Sequence, residues 1–138
     1  MTDSSGFGKG RRAFLIEDNE RNQRLVRAVL ESAGWEVEVA PDGETGLARL
    51  AEGLPDVLLL DIGLPHMDGF EILQRVRGMP GADRTPVIAV TSFAHPDEVR
   101  RIRESGFTNY LAKPFQVQAL LDLVQTAVLT AESGGRET

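Results

Sequence analysis

Three acidic residues, a hydroxyl and an amine lie at the ends of short apolar runs. Glu17 and Asp18 follow the first run, Asp61 and Thr91 end the third and fourth, and Lys113 follows a weaker fifth. Carboxylates held close together repel one another, and a divalent cation relieves that repulsion. Oxygen ligands without sulfur or imidazole favour Mg²⁺, with Mn²⁺ as a substitute. The residue types therefore predict a divalent-cation site that includes a hydroxyl and an ammonium group.

A carboxylate in such a site can itself accept a phosphoryl group. Asp61 follows the most apolar run and is the best-placed nucleophile. Lys113 would neutralise charge on the phosphoryl group, and Thr91 would donate a hydrogen bond to one of its oxygens. Taken singly, each residue is equally explained as a helix cap or a solvated loop residue. Taken together, they favour phosphoryl transfer onto Asp61.

Composition narrows the remaining classes of function. The chain has 138 residues, a formal net charge of −6 and no cysteine. Its length predicts a single domain, and its acidity argues against direct binding of nucleic acid. The absence of cysteine excludes disulfides and thiol nucleophiles. The sequence has no run of eighteen apolar residues, so we expect no membrane span. We expect a soluble, cytoplasmic domain whose only lysine outside the amino-terminal leader is Lys113.

Short apolar runs alternate with stretches of helical periodicity. Five such βα units predict an α/β fold, a doubly wound five-stranded parallel sheet with five helices. The first, third and fourth runs are apolar throughout, whereas the second alternates and the fifth is short, which favours the strand order 2-1-3-4-5. We expect a domain at residues 12–132 with flexible tails at 1–11 and 133–138. The five runs are residues 13–16, 37–39, 57–60, 87–90 and 110–112.

Several motifs resemble those of bacterial response-regulator receiver domains, of the stand-alone, single-domain type. They are FLIEDN at 14–19, DVLLLD at 56–61, LPHMDG at 64–69, VTS at 90–92 and YLAKPF at 110–115. The resemblance covers residues 12–132 with every motif in order. The strand order 2-1-3-4-5 is known for this family, so it is not an independent prediction.

The resemblance implies that Asp61 accepts a phosphoryl group from a histidine kinase or a histidine phosphotransfer protein. It implies that Asp18, Asp61 and the Gly63 carbonyl bind Mg²⁺ directly, and that Glu17 acts mostly through metal-bound water. Such a protein is a phosphoacceptor in signalling and catalyses only its own phosphorylation and dephosphorylation.

The resemblance also implies the contacts of the phosphoryl group and a switch. The phosphoryl group would contact Ile62, Thr91, Lys113 and the backbone amide of Ser92. Thr91 and Tyr110 would form the switch, with Tyr110 turning inward as Thr91 moves. The bond between Lys113 and Pro114 would be cis, which is tolerable chiefly before proline.

The output is expected through the face formed by the fourth helix, fifth strand and fifth helix. The chain stops after the fifth helix, so the signal would pass to a partner, by relay, or through a phosphorylation-dependent dimer of an otherwise monomeric protein. Arg100, Arg101 and Arg103 lie on the fourth helix and either face water or contact the partner. Gly63 and Phe93 occupy positions that tune phosphoryl lifetime in the family. Neither offers a carboxylate or amide to orient water, which predicts slow self-dephosphorylation.

Two other classes of protein are compatible with parts of this pattern. A phosphatase of the haloacid-dehalogenase type also uses an aspartyl nucleophile, but it places a second Asp where this chain has Gly63. Its acids follow the nucleophile, whereas Glu17 and Asp18 precede Asp61. An interaction module with an idle site is the other alternative, and the presence of every expected site residue argues against it.

Overall fold

Five parallel strands form one sheet in the computed structural model, which describes residues 6–134. The strands are β1 (Arg12–Ile16), β2 (Glu36–Ala40), β3 (Val57–Asp61), β4 (Val87–Thr91) and β5 (Asn109–Ala112). Their order is β2-β1-β3-β4-β5, which confirms the predicted fold class. The helices are α1 (Glu20–Ser32), α2 (Gly43–Leu50), α3 (Gly69–Arg77), α4 (Pro96–Ser105) and α5 (Val117–Gly134), with a 3₁₀ turn at Ala82–Arg84.

Burial explains which strands lie inside the sheet. Every residue of β3 and β4 is buried, and β1 is buried from Ala13 onward. In β2 only Ala40 is buried, and the four residues before it are exposed or half-buried, as expected for an edge strand. Successive residues such as Phe14 and Leu15 enter opposite cores, one beneath α2, α3 and α4 and the other beneath α1 and α5.

The strand register aligns the carboxyl ends of neighbouring strands. Ile16 pairs with Leu60, and Thr91 pairs with Ala112. The residues that follow these pairs therefore leave the sheet at the same edge. No helix within residues 6–134 is both long enough and apolar enough to span a bilayer.

Helix caps are made by the residue types that the sequence indicates. Asn19 caps α1 by accepting a hydrogen bond from the Asn22 amide at 3.0 Å. Asp68 caps α3 by accepting from the Phe70 amide at 2.9 Å. Gly106 ends α4 with a φ of 106°, a backbone conformation that favours glycine. The Asp18 carboxylate is therefore not needed as a cap.

Part of the expected amino-terminal tail packs against the domain. The Gly8 amide donates to the Ala33 carbonyl at 2.8 Å, and the Phe7 ring lies 6.2 Å from that of Trp35. The Arg11 guanidinium lies 4.4 Å from the Phe7 ring centroid and pairs with Glu132 of α5. Only a glycine fits at position 8, since a Cβ there would lie 2.2 Å from Trp35 Cδ1. At the other end, α5 continues to Gly134, beyond the expected boundary at 132.

The remaining parts of both expected tails, residues 1–5 and 135–138, lie outside the described residues.

Candidate functional site

An open pocket of about 390 Å³ lies at the carboxyl ends of the strands. Eight of the nine residues that the sequence assigns to a site line this pocket. They are Glu17, Asp18, Asp61, Ile62, Gly63, Thr91, Ser92 and Lys113. The ninth, Tyr110, is half-buried on β5 and packs against the core on the α4 side.

Three carboxylates converge at the floor of the pocket. Glu17, Asp18 and Asp61 each offer an oxygen, and these oxygens lie within 4.8 Å of one another. Glu17 and Asp61 are only 2% and 6% exposed, whereas Asp18 faces solvent. The Gly63 amide donates to Asp61 Oδ1 at 2.9 Å, so the β3–α3 loop closes over this carboxylate. An all-oxygen cluster open to water on one side fits a hard divalent cation such as Mg²⁺.

Lys113 bridges the two buried carboxylates. Its Nζ lies 3.0 Å from Glu17 Oε1 and 3.2 Å from Asp61 Oδ2. Burial alone would lower the pKa of this lysine, but the hydrogen bonds and charges of Glu17 and Asp61 outweigh it and raise the pKa. The side chain is therefore a fixed ammonium at neutral pH. The peptide bond to Pro114 that follows it is cis.

The environment of Glu17 makes its carboxylate difficult to ionise. Burial, and next the neighbouring Asp61, raise the pKa of Glu17 to about 7, while Lys113 acts in the opposite direction. One lysine does not offset three carboxylates, so the pocket carries unbalanced negative charge at neutral pH.

We expect the stability of the metal-free protein to fall between about pH 4.5 and 7. The pKa of Glu17 is about 7 in the folded protein, against an ordinary value of 4.5. Between these two pH values the unfolded chain ionises and the folded protein does not, so the unfolded state is stabilised relative to the folded state. The loss in free energy of unfolding is at most about 3 kcal/mol. Urea unfolding at several pH values measures it, and saturating Mg²⁺ should reverse it. Glu17→Gln is the control, and an identical pH dependence in wild type and variant would contradict the prediction.

The Thr91 hydroxyl is engaged with its own loop. It accepts a hydrogen bond from the Phe93 amide at 3.0 Å and donates to the Phe93 carbonyl at 3.3 Å. Thr91 is buried, whereas Ser92 and Phe93 are exposed at the rim of the pocket. The hydroxyl is thus held at the pocket by contacts that a bound oxyanion could replace.

Four further residues line the pocket. The sequence analysis related Phe93 to phosphoryl lifetime but assigned no role at the site to Asn19, Asn22 or Glu98. Asn19 and Asn22 belong to the start of α1, and Phe93 and Glu98 to the β4–α4 loop and the first turn of α4. Helices that follow parallel strands begin at the same edge as the site, so their first turns face it. That rule could have identified Asn22 and Glu98, because each lies three residues after the residue that caps its helix.

The sheet order and the acidic pocket at its carboxyl edge define a response-regulator receiver domain. The family model of that description, "Response regulator receiver domain", matches residues 13–125, and the chain belongs to this family. Membership excludes the haloacid-dehalogenase alternative and places the chain among two-component signalling proteins.

Individual relatives are single-domain regulators and receiver domains. The chain is 34% identical over 113 residues to the polar-differentiation response regulator DivK of Brucella ovis, a match that covers 82% of this chain and 92% of DivK. Chemotaxis response regulator CheY4 of Vibrio cholerae superposes with a TM-score of 0.80 at 31% identity, over 85% of this chain and 98% of CheY4.

A third relative was solved with an ion. The receiver domain of the sensor histidine kinase PA1611 of Pseudomonas aeruginosa has a TM-score of 0.79 at 30% identity, over 86% of this chain and 97% of that domain. In that structure a magnesium ion is coordinated in the active-site cleft.

Proposed function

We propose that this protein is a phosphoacceptor that takes a phosphoryl group onto Asp61 from a histidine kinase or a histidine phosphotransfer protein. The observation that carries the proposal is the environment of Asp61, a buried carboxylate at the floor of an open pocket, 3.2 Å from the Lys113 ammonium. A carboxylate in this position can reach an incoming phosphorus atom while the Lys113 ammonium partly neutralises its charge.

In the proposed step, an Asp61 oxygen forms a bond to phosphorus as the bond from phosphorus to the donor's imidazole nitrogen breaks. The electron pair of that bond stays on the donor. Lys113 would hold the charge of the transferred group, and Thr91 would exchange its contacts with Phe93 for one phosphoryl oxygen. The backbone amide of Ser92 would contact another oxygen, and Ile62 would also lie against the phosphoryl group, while its own amide donates to the Val90 carbonyl at 3.1 Å.

We assign the cation to the acidic cluster. Asp18, Asp61 and the Gly63 carbonyl would bind Mg²⁺, or Mn²⁺ as a substitute, and Glu17 would act through metal-bound water. When bound, the ion supplies positive charge against the carboxylates and the phosphoryl oxygens. The convergence of three carboxylate oxygens supports this assignment, as does the magnesium ion in the cleft of the PA1611 receiver domain.

The output surface is proposed to be the face of α4, β5 and α5, with Thr91 and Tyr110 as the switch. The arginines of α4 differ in whether other residues of the chain hold their side chains. The Arg101 guanidinium lies 3.7 Å from the Phe70 ring centroid and 3.6 Å from Asp68, so it is held by α3. Arg103 is exposed and remains available to a partner.

Four expectations from the sequence stay predictions. They are a monomer that dimerises on phosphorylation, a cytoplasmic location, the absence of direct nucleic-acid binding, and the limits of the domain at 12–132.

Intact mass of the protein with a small acyl-phosphate donor tests the function. We expect a single phosphoryl adduct that forms with Mg²⁺, fails to form with a chelator, and maps to Asp61 in peptide digests. The matched control is the same incubation after unfolding, which should give no adduct. No adduct, with beryllofluoride also leaving the protein unchanged, would instead support the module with an idle site.

A further inference from the structure

Glu98 lines the acidic pocket, and no function has so far been assigned to its carboxylate. It lies in the first turn of α4, is half-buried, and lines the same cavity as Asp61. Within residues 6–134 its side chain has neither a hydrogen-bond partner nor an ion-pair partner. Glu98 also lines a neighbouring cavity with Phe93, His95, Asp97 and Arg101, so it lies at the boundary between that cavity and the acidic pocket.

The pocket has room for water beside the acidic cluster. Its volume of about 390 Å³ compares with about 30 Å³ for one water molecule in the liquid. Glu98 does not belong to the group of carboxylates whose oxygens lie within 4.8 Å of one another. Its position therefore suits contact with water or with a group bound on Asp61 better than contact with the cation itself.

Other side chains around the opening are less suited to handle water. Gly63 has no side chain and Phe93 presents an apolar ring that is 67% exposed. Asn19 uses its side-chain oxygen to cap α1. The Asn22 amide can hold a water molecule but cannot accept its proton, whereas the Glu98 carboxylate can do both.

We propose that Glu98 orients and deprotonates the water that removes the phosphoryl group from Asp61, and that it thereby sets the lifetime of the phosphorylated state. This proposal revises the expectation of slow self-dephosphorylation, which considered only Gly63 and Phe93. This inference rests on the proposed function. The water oxygen forms a bond to phosphorus as the bond from phosphorus to the Asp61 oxygen breaks. The electron pair returns to the Asp61 carboxylate, Glu98 takes the proton, and inorganic phosphate leaves.

A simpler explanation of Glu98 is that its negative charge stabilises the amino terminus of α4. A matched control variant is needed to separate this effect from catalysis. An acidic residue in the first turn stabilises a helix through its dipole. Asp97 belongs to the same turn and carries the same charge, but its side chain is 93% exposed and does not line the pocket. Asp97→Asn therefore removes the helix-terminal charge and leaves the carboxylate of the pocket in place.

The experiment follows the decay of phosphorylated protein by intact mass after the acyl-phosphate donor has been removed. We expect Glu98→Leu to lengthen the half-life about 100-fold and Glu98→Gln to lengthen it as well, since neither side chain accepts a proton. Asp97→Asn should decay at the wild-type rate. The rate of phosphorylation and the affinity for Mg²⁺ should be unchanged in Asp97→Asn, and the decay of the Glu98 variants is compared at saturating Mg²⁺ from fully phosphorylated protein.

Wild-type decay in Glu98→Leu would overturn the inference while leaving Asp61 as the phosphoacceptor. Equal slowing in Asp97→Asn would also overturn it, because the effect would then belong to the charge of the helix terminus. The absence of any adduct on wild-type protein would overturn both the inference and the proposed function.

Discussion

Replacing Asp61 with Asn should abolish the phosphoryl adduct and should stabilise the metal-free protein. The amide keeps the shape of the side chain but lacks the nucleophilic carboxylate. It also removes one of three converging negative charges, which lowers the pKa of Glu17 because Asp61 contributes to raising it. We expect a gain of about 1 kcal/mol in the free energy of unfolding near pH 7, measured by urea unfolding in chelator.

The control for this variant is Asp56→Asn, which removes the same charge from the other end of β3. Asp56 Oδ2 accepts a hydrogen bond from the Arg12 amide at 2.7 Å, so this change should destabilise the protein and leave phosphorylation intact. If Asp61→Asn destabilised the metal-free protein, the attraction between Asp61 and Lys113 would outweigh the repulsion among the carboxylates. An adduct on Asp61→Asn would show that another residue accepts the phosphoryl group.

Replacing Lys113 with Met should slow phosphorylation and destabilise the protein. Met fills a similar length without charge, so it removes the ammonium that lies 3.2 Å from Asp61 and 3.0 Å from Glu17. Loss of one preorganised group that stabilises developing charge costs about 100-fold in rate. Removing the cation from two buried carboxylates costs about 3 kcal/mol in stability. The initial rate of adduct formation and urea unfolding measure the two effects.

The pH dependence separates a charge effect from a packing effect in this variant. The deficit in stability should shrink below pH 7, because Glu17 then takes up a proton and no longer needs a counter-charge. Lys113→Arg is the control: it keeps the charge and most of the stability, but its planar guanidinium does not reproduce the point charge of an ammonium. A deficit that stays constant with pH would indicate lost packing instead.

The sheet and its acidic edge could be predicted from local sequence. Apolar strands such as β3 specify burial on both faces, and parallel strands bring their carboxyl ends to one edge. Those two rules are enough to predict that Asp18, Asp61 and Lys113 lie close together, although they are far apart in the chain. The helix caps at Asp42 and Asp68 also follow from local preference.

Contacts that depend on distant partners could not be predicted in this way. The segment around Gly8 is small and polar, and its order comes from Trp35 and from Glu132, 121 residues after Arg11. The stacking of Arg101 on Phe70 depends on how α3 and α4 pack together. The role of Glu98 at the pocket depends on where α4 begins, and boundaries are the least certain part of any helix prediction.

The packing of the amino-terminal segment has a spectroscopic consequence. The sequence contains one tryptophan and one tyrosine. Trp35 lies beside Phe7 just before β2 begins, at the end of the sheet opposite the acidic pocket, whereas Tyr110 lies on β5. Indole emission therefore reports whether residues 6–11 are docked, and it is insensitive by position to events at Asp61. Tyrosine signals serve as a separate optical probe of the proposed output face, to which β5 belongs.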